Sequence, residues 1–319
     1  MNQLEQLRRF SGIVIDTGDI EAIAELQPED ATTNPSLLLK ALQLPRYAEL
    51  IEQTGRALQR APCSPAAAMA EALDRLSVAL GGEILQYIPG RVSTEVDARL
   101  SFDQAATLYR ARRLIQLYEA QGIARERVLI KIAATWEGLQ AARTLEQEGI
   151  ACNLTLLFNL TQAEVAAQAG VTLISPFVGR ILDWHQARES TRVFSAADDP
   201  GVRSVQAIHQ LYKQQGYTTI IMAASFRNTQ EILALAGCDK MTIAPQWLQE
   251  LQAQHAPVTA ALPEYAAAPS TRAALGEAEF RWAMNEDAMA TEKLAEGIRL
   301  FTRDLRKLED TLRRHWQPA

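Results

Sequence analysis

The sequence predicts a (β/α)8 barrel, the TIM-barrel fold, and three observations support this prediction. Short runs rich in Val, Ile and Leu recur along the chain, as in strands that are buried on both faces. Stretches of helical periodicity separate the runs, with short connections. No linker interrupts the 319 residues, so we predict one domain over residues 1–319. A doubly wound sheet is the alternative, but no Gly-x-Gly-x-x-Gly follows the first run.

Eight of these runs are predicted to be strands, at residues 12–16, 31–34, 92–96, 128–133, 152–158, 172–177, 219–224 and 241–245. Helical periodicity occupies residues 103–121, 136–148, 161–169, 202–215 and 228–236. A glycine follows each of these helices, at Gly122, Gly149, Gly170, Gly216 and Gly237. Glycine at that position is typical of a helix C-terminus.

Additional helices are predicted outside this repeating pattern. Residues 36–59 and 65–87 are helical insertions between the second and third strands, and residues 62–65 form a turn between them. Residues 255–270 lack periodicity and predict a loop, which leads to a C-terminal helical region over residues 277–314. Residues 1–10 read as an amphipathic helix and not as a signal peptide.

Composition limits the possible partners. With 48% hydrophobic and 22% charged residues the chain is typical of a soluble globular protein. Its net charge of -6 argues against nucleic acid or an anionic membrane as a partner. No stretch reaches the roughly 18 apolar residues of a membrane span. The three cysteines, at positions 63, 152 and 238, suit reduced thiols in the cytosol, and the four scattered histidines predict no metal site.

Lys131 is the most informative residue, because it lies inside an apolar, β-branched run. A buried ammonium group is costly unless an acid pairs with it or the amine is partly neutral. A neutral lysine is a nucleophile that forms Schiff bases with carbonyl compounds. An ion-paired or snorkelling lysine at a strand end is the alternative interpretation.

Polar residues recur where the predicted strands end, and active sites of barrels lie at that end. For any single residue, a capped or solvated strand end is the simpler explanation, but their recurrence at one level predicts a catalytic site. The residues are Asp16, Asn34, Glu95, Lys131, Asn153, Thr155, Ser175, Ser225 and Arg227.

These residues fit carbon–carbon bond cleavage in a ketose. A Schiff base on Lys131 becomes an iminium ion that accepts electrons, and Asp16 is the candidate that removes the proton of the hydroxyl group beside the breaking bond. Glu95 is the candidate that moves protons during carbinolamine formation, directly or through a water molecule held by Thr155.

Other polar residues fit the binding of a phosphorylated sugar. Asn34, Asn153 and Ser175 suit substrate hydroxyl groups. Arg180 and Arg227 have the planar fork that suits phosphate, although a surface ion pair is the alternative for each. Residues 225–228 precede a predicted helix, whose N-terminus adds backbone donors.

Several long motifs resemble the class I transaldolases of the pentose phosphate pathway. They are DATTNPSLL at residues 30–38, PGRVSTEVDAR at 89–99, LIKI at 129–132, CNLTLLF at 152–158, ISPFVGR at 174–180, ASFRN at 224–228 and KLAEGI at 293–298. They follow the order of the family and extend from near residue 10 to about 245, and again around 293–298.

The resemblance implies a transferase that moves dihydroxyacetone reversibly from sedoheptulose 7-phosphate to glyceraldehyde 3-phosphate. The products would be erythrose 4-phosphate and fructose 6-phosphate. It implies the Schiff base at Lys131, proton transfer by Asp16, and Glu95 acting through water on Thr155. Asn34, Asn153 and Ser175 would hold dihydroxyacetone, and Arg180, Ser225 and Arg227 would hold phosphate. It further implies no cofactor, a cytoplasmic location and a homodimer.

One residue and one segment depart from the family pattern. Ala134 stands where serine is common, and residues 255–278 match poorly.

Two other functions compete with dihydroxyacetone transfer. One is a Schiff-base aldolase that releases dihydroxyacetone without an acceptor. Phe177 has no hydroxyl group to activate water, so we hypothesise that it favours transfer. The other is a non-catalytic sugar-phosphate-binding barrel, which the presence of Lys131, Asp16 and Glu95 disfavours.

Overall fold

A closed barrel of parallel strands forms the centre of the molecule. The computed structural model describes residues 1–41, 43–59, 64–268 and 273–316. Each strand pairs with the next along the chain, and the last pairs with the first, which confirms the predicted (β/α)8 barrel. The strands are β1 Gly12–Asp16, β2 Asp30–Thr32, β3 Val92–Glu95, β4 Val128–Ala133, β5 Cys152–Leu157, β6 Leu173–Pro176, β7 Ile220–Ala223 and β8 Lys240–Ile243.

Helices surround the barrel. They are α1 Gln3–Leu7, α2 Ile20–Leu26, α3 Pro35–Ala41, α4 Ala48–Gln59, α5 Pro65–Ile84, α6 Gln104–Ala120, α7 Trp136–Gln147, α8 Leu160–Gln168, α9 Val178–Arg188, α10 Pro200–Gln215, α11 Thr229–Leu233, α12 Pro245–Ala253, α13 Glu277–Glu286 and α14 Ala288–Trp316. Every predicted helical region is present. Helices α2, α9 and α12 lie where no helix was predicted.

The predicted helix-terminating glycines adopt the backbone conformation that glycine favours. Each has a positive φ, from 71° at Gly216 to 106° at Gly237. A residue with a Cβ atom is strained in this region, whereas glycine is not. The glycines therefore let the chain turn from each helix towards the next strand.

Apolar side chains pack on both sides of the barrel wall. A small inner layer inside the barrel contains Val14, Leu129, Leu173 and Met222, which are almost fully buried. A larger layer between the strands and the helices forms the main core. Val14, Leu129 and Leu173 each lie two residues before a polar residue of a strand end. Because side chains alternate in a strand, this inner layer forms the floor below those polar groups.

The C-terminal helix α14 lies against the end of the barrel that carries the polar residues. It packs against α3, α4, α9 and β5. Asp304 of this helix accepts a hydrogen bond from Ser36 at the start of α3. Glu309 of the same helix forms an ion pair of 2.7 Å with Arg99, which follows β3. These contacts connect the C-terminal helix to the loops after β2 and β3.

Four smaller expectations concern a loop, a turn, the cysteines and membrane spans. The part of the 255–270 loop that the structure describes contains no helix or strand, whereas residues 269–270 lie outside the described residues. The predicted turn at residues 62–65 also lies partly outside them. Cys152 and Cys238 are free thiols, as predicted, and Cys63 is not described. No helix within the described ranges has the length and apolar character needed to span a membrane.

Candidate active site

The barrel register brings the predicted site residues of three strands to one level. Glu95 of β3 lies opposite Lys131 of β4, and Lys131 lies opposite Asn153 of β5. Side chains paired in register point to the same face of a sheet, and these three point into the barrel. All three strands therefore contribute to one site, above the apolar floor, although Asn153 is the second residue of β5 and not at its predicted end.

Lys131 is buried and has an acidic neighbour. Its side chain is 7% exposed, and Nζ lies 3.6 Å from Glu95 Oε2. Nζ also donates a hydrogen bond of 3.4 Å to the backbone carbonyl of Thr33. The acid partner that burial requires is therefore Glu95. The same pair places a proton acceptor beside the amine.

Glu95 has the properties of a proton carrier. Burial raises the pKa of its carboxyl group to about 7, although the neighbouring Lys131 acts in the opposite direction. Its Oε2 atom accepts no hydrogen bond from any residue that the structure describes. A carboxyl group with a pKa near neutrality exchanges protons efficiently under physiological conditions.

Asp16 is oriented by two hydroxyl groups that sequence reasoning missed. Thr32 of β2 donates to Asp16 Oδ1 at 2.9 Å. The hydroxyl groups of Thr32 and Thr242 lie 3.0 Å apart, so Thr242 is positioned to donate to Thr32. Thr32 lies two residues before Asn34 in the sequence, and this spacing was the signal that it faces the site.

Asn153 lies at the centre of a second hydrogen-bond network. Its Nδ2 donates to Ser93 Oγ at 3.0 Å, and its Oδ1 accepts from Ser175 Oγ at 2.7 Å. All three residues are buried. Asn153 and Ser175 are among the residues predicted from the sequence, whereas Ser93, which lies two residues before Glu95 on the same strand face, is not.

Asn34 and Thr155 differ in how they are held. Asn34 Oδ1 accepts the backbone N–H of Leu37 at 3.0 Å and so caps α3, which leaves its amide NH2 group as the polar group for a ligand. Asn34 and Glu95 line one cavity of about 40 Å³, which is large enough for water. Thr155 is fully buried, and its Oγ1 has no hydrogen-bond partner among the described protein atoms.

Arg180 lies between two aromatic rings. Its guanidinium carbon is 4.9 Å from the centre of the Phe177 ring and 5.5 Å from that of Phe301 in α14. Burial lowers the pKa of Arg180, and the nearby charge of Arg227 lowers it further. Two neighbouring cations, one of them desolvated, favour an anionic ligand between them.

Arg227 lies in the loop between β7 and α11. Its guanidinium donates to the backbone carbonyl and the hydroxyl group of Ser225 at 3.0 and 3.2 Å. It also forms a two-point ion pair with Asp183 of α9, at 3.1 and 2.6 Å. Ser225 has a φ of 66°, a left-handed conformation that is unusual for serine. The loop therefore presents Ser225 and Arg227 together.

The predicted site residues thus form two neighbouring groups. The first, inside the barrel, has the nucleophile, the acids and the polar groups for hydroxyl binding, and suits addition to a carbonyl compound. The second, at the mouth of the barrel, contains Arg180, Ser225 and Arg227 and suits a phosphate group. Arg180 connects them, since electrostatic interactions link it to both Glu95 and Arg227.

Comparison with known proteins confirms the motif resemblance. The model of the transaldolase/fructose-6-phosphate aldolase family matches residues 13–312. A transaldolase of Marinomonas sp. strain MWYL1 is 56% identical over 312 residues, 98% of each chain. Transaldolase A of Escherichia coli K12 is 53% identical over 312 residues, 98% of this chain and 99% of that protein. The matches cover the barrel, both groups of site residues and α14, and on this evidence the chain belongs to the transaldolase/fructose-6-phosphate aldolase family.

Proposed function

We propose that the chain is a transaldolase that transfers dihydroxyacetone between sugar phosphates through a Schiff base on Lys131. The donor is sedoheptulose 7-phosphate and the acceptor is glyceraldehyde 3-phosphate, with erythrose 4-phosphate and fructose 6-phosphate as products. The observation that carries the proposal is the buried Lys131 amine, 3.6 Å from Glu95 at the carboxyl end of the barrel. Family membership and the transaldolase relatives support the assignment.

The first half of the reaction forms the covalent intermediate. The Lys131 amine attacks the C2 carbonyl carbon of the donor ketose, and the carbinolamine loses water to give an iminium ion. Glu95, together with a water molecule held by Thr155, supplies and removes the protons of these steps. Asn34, Asn153 and Ser175 bind the hydroxyl groups of the dihydroxyacetone part. Phosphate interacts with Arg180, Ser225 and Arg227.

The second half breaks and remakes a carbon–carbon bond. The Asp16 carboxylate takes the proton of the C4 hydroxyl group, and the electrons of the C3–C4 bond move into the iminium ion, which becomes an enamine. The aldose phosphate leaves, and the enamine attacks the aldehyde carbon of the acceptor. Asp16 returns its proton to the new alkoxide, and hydrolysis of the iminium ion frees Lys131. The hydrogen bond from Thr32 keeps Asp16 oriented for both transfers.

Transfer to an aldehyde, and not to water, is supported by the surroundings of Phe177. This side chain is 6% exposed, meets the Phe158 ring edge-on at 5.5 Å, and has the Arg180 guanidinium 4.9 Å from its ring centre. It brings no hydroxyl group to the site, so it does not orient water towards the covalent intermediate. We further propose a cytoplasmic homodimer without a cofactor, on the resemblance to the family.

The nucleophile is tested by trapping the intermediate with borohydride. Wild-type protein, incubated with fructose 6-phosphate and reduced, should carry one reduced dihydroxyacetone unit on the peptide that contains Lys131, with the mass of dihydroxyacetone less one water and plus two hydrogens. Lys131→Ala should abolish the adduct and reduce turnover by at least about 10⁴-fold, since it removes the covalent route. Lys240→Arg is the matched control, because Lys240 is the other strand lysine and pairs with Glu29 and Asp30. An adduct that persists in Lys131→Ala would place the nucleophile elsewhere.

A further inference from the structure

Two buried acidic side chains contact each other beneath the proposed phosphate site. Glu231 of α11 is 1% exposed, and Asp199, the residue before α10, is 2% exposed. Their carboxyl groups are within hydrogen-bonding range of each other. Two ionised carboxylates have only acceptor atoms, so this contact requires a proton on one of them. The mechanism described above uses neither residue.

Glu231 holds the loop that carries Ser225 and Arg227. Its Oε2 accepts the backbone N–H of Arg227 at 2.7 Å. Its own backbone N–H donates to Asn228 Oδ1 at 2.9 Å, which caps α11. The left-handed conformation of Ser225, two residues before Arg227, persists only where surrounding contacts hold the backbone. The carboxyl group of Glu231 supplies one of these contacts.

Asp199 holds the start of α10, which packs against α9. Its Oδ1 accepts the backbone N–H groups of Gly201 and Val202, at 2.7 and 3.2 Å, and caps α10. Gly201 lies against the first turn of α9, where a Cβ atom would approach the Val178 carbonyl oxygen to 2.1 Å. Arg180 is two residues further along α9. The contact between Asp199 and Glu231 therefore joins the Arg227 loop to the helix that carries Arg180.

We propose that Glu231 and Asp199 are positioning residues that share one proton and thereby hold Arg227, Ser225 and Arg180 in place for a phosphate group. When the proton leaves, two buried carboxylates repel each other, and the loop loses its alignment with α9. Affinity for phosphorylated sugars then falls as the pH rises. This inference rests on the proposed function, because it presupposes that these three residues bind phosphate.

The surroundings of the pair place its titration near neutrality. Burial raises the pKa of Glu231 to about 7, and the charge of Asp199 acts in the same direction, whereas Arg227 opposes it. Burial also raises the pKa of Asp199, and His185 of α9 lowers it. The elements around the pair carry other charged groups that have partners of their own: Asp183 of α9 is bound to Arg227, Arg188 of α9 to Glu292, Arg203 of α10 to Asp198, Lys213 of α10 to Asp239, and Glu250 of α12 to Thr229. Arg180 of α9 lies at the proposed phosphate site, and burial lowers the pKa of His209 of α10.

The sign of the stability effect follows from the raised pKa. A carboxyl group whose pKa is higher in the folded than in the unfolded protein binds its proton more tightly when folded. Its contribution to the free energy of unfolding is complete below the unfolded value of about 4.5 and is lost as the pH rises through about 7.

The test compares wild-type protein with Glu231→Gln over about pH 6 to pH 9. Glutamine accepts the Arg227 N–H through Oε1 and donates to Asp199 through Nε2, so it imitates the protonated acid at every pH. The KM for fructose 6-phosphate should agree between the two proteins at about pH 6. At about pH 9 the wild-type KM should be about ten-fold higher than that of Glu231→Gln. The ratio of the two proteins cancels the titration of the phosphate group itself.

Two further measurements separate positioning from a general structural role. The inhibition constant of inorganic phosphate should follow the same pH dependence, whereas adduct formation with dihydroxyacetone, which has no phosphate, should not. Glu231→Ala should raise the KM for fructose 6-phosphate at every pH, with a much smaller change in kcat. If Glu231→Ala does not fold, Asp199→Asn tests the pair from its other member: its amide supplies a permanent N–H donor to Glu231, so its KM should stay low and independent of pH where the wild-type KM rises.

The outcomes distinguish this inference from the proposed function. Identical KM profiles for wild type and Glu231→Gln would overturn the shared proton. Equal effects on phosphate and on dihydroxyacetone would overturn the positioning role. Arg227→Ala is the reference variant, since it should weaken the binding of phosphorylated sugars and of inorganic phosphate far more than the binding of dihydroxyacetone. If Arg227→Ala weakens the binding of phosphorylated ligands and of dihydroxyacetone equally, the assignment of the phosphate site is wrong. If Arg227→Ala gives the expected result and only the Glu231 and Asp199 variants do not, the phosphate site is retained and the shared proton is rejected.

Discussion

At the scale of single residues, the site depends on pairs in which one side chain balances the charge of another or fixes its orientation. Glu95 is the acid partner of Lys131, Thr32 orients Asp16, and Ser93 and Ser175 hold Asn153. The candidate site residues could be named from the sequence because polar groups at the ends of apolar runs stand out, and their roles stay predictions. Their supporting hydroxyl groups could not be named in this way, since a buried Thr or Ser is ordinary in a strand and only the fold shows which one meets a charged residue.

Glu95 predicts a pH dependence of Schiff-base formation. Because burial raises its pKa to about 7, the carboxylate that accepts protons becomes populated as the pH rises through that value. The rate of adduct formation with dihydroxyacetone, a phosphate-free ligand, should therefore increase as the pH rises through about 7. Glu95→Gln should lower the rate about 10²-fold or more and flatten the profile. An unchanged profile in the variant would remove Glu95 from these steps.

The side chain of Phe177 predicts whether the covalent intermediate reacts with an acceptor aldehyde or with water. Phe177→Tyr places a hydroxyl group beside the intermediate, so acceptor-independent release from fructose 6-phosphate should rise about ten-fold or more, because a bound water is then activated. Phe158→Tyr, at the edge-on neighbour 5.5 Å away, is the control and should have little effect. Equal release by wild type and Phe177→Tyr would contradict this account of reaction choice.

At the scale of secondary-structure elements, the strands were more predictable than the helices. Each of the eight apolar runs became a strand of the barrel, because burial on both faces leaves a clear pattern. Helices α9 and α12 were missed, and both begin directly after a strand without a side-chain cap. Helix α2 has only seven residues, too few for a clear period. The path of α14 over the barrel end was not predictable, because it follows from tertiary contacts.

The packing of helix α14 predicts that replacing a helical glycine with alanine lowers the free energy of unfolding, the opposite of the effect expected from helix propensity. A Cβ atom at Gly297 would lie 2.5 Å from Leu156 Cδ2 and 3.2 Å from a terminal nitrogen of Arg180. Helix propensity alone would make Gly297→Ala stabilising by about 1 kcal/mol. We expect a net loss of about 1 to 3 kcal/mol instead, because the buried Leu156 has little room to move. The KM for fructose 6-phosphate should rise as Arg180 shifts.

The matched control is Gly82→Ala in α5. There the nearest atoms are the ends of the Gln121 and Ile123 side chains, at 3.0 and 3.1 Å, which are free to adjust. Its free energy of unfolding should be unchanged or higher, and its KM should not change. Denaturant unfolding and steady-state kinetics give both quantities. A gain in stability for Gly297→Ala with unaltered KM would show that the helix does not constrain Arg180.

At the scale of the whole molecule, sequence and structure agree on architecture because the barrel repeats one simple pattern eight times. Family membership then connects that architecture to chemistry, since nearly the whole chain matches both the family model and the transaldolase relatives. The single-domain, homodimer and cytoplasmic assignments stay predictions. Surface chemistry and binding partners decide the oligomeric state and location, and neither leaves a periodic pattern in the sequence.

The most direct test of the central claim is the release of glyceraldehyde 3-phosphate from fructose 6-phosphate, with and without erythrose 4-phosphate. Release that depends on erythrose 4-phosphate, and that disappears in Lys131→Ala, is the predicted result for a transaldolase. Release at the same rate without the acceptor would identify an aldolase and contradict the role given to Phe177. No release under either condition, from folded wild-type protein, would contradict the catalytic assignment.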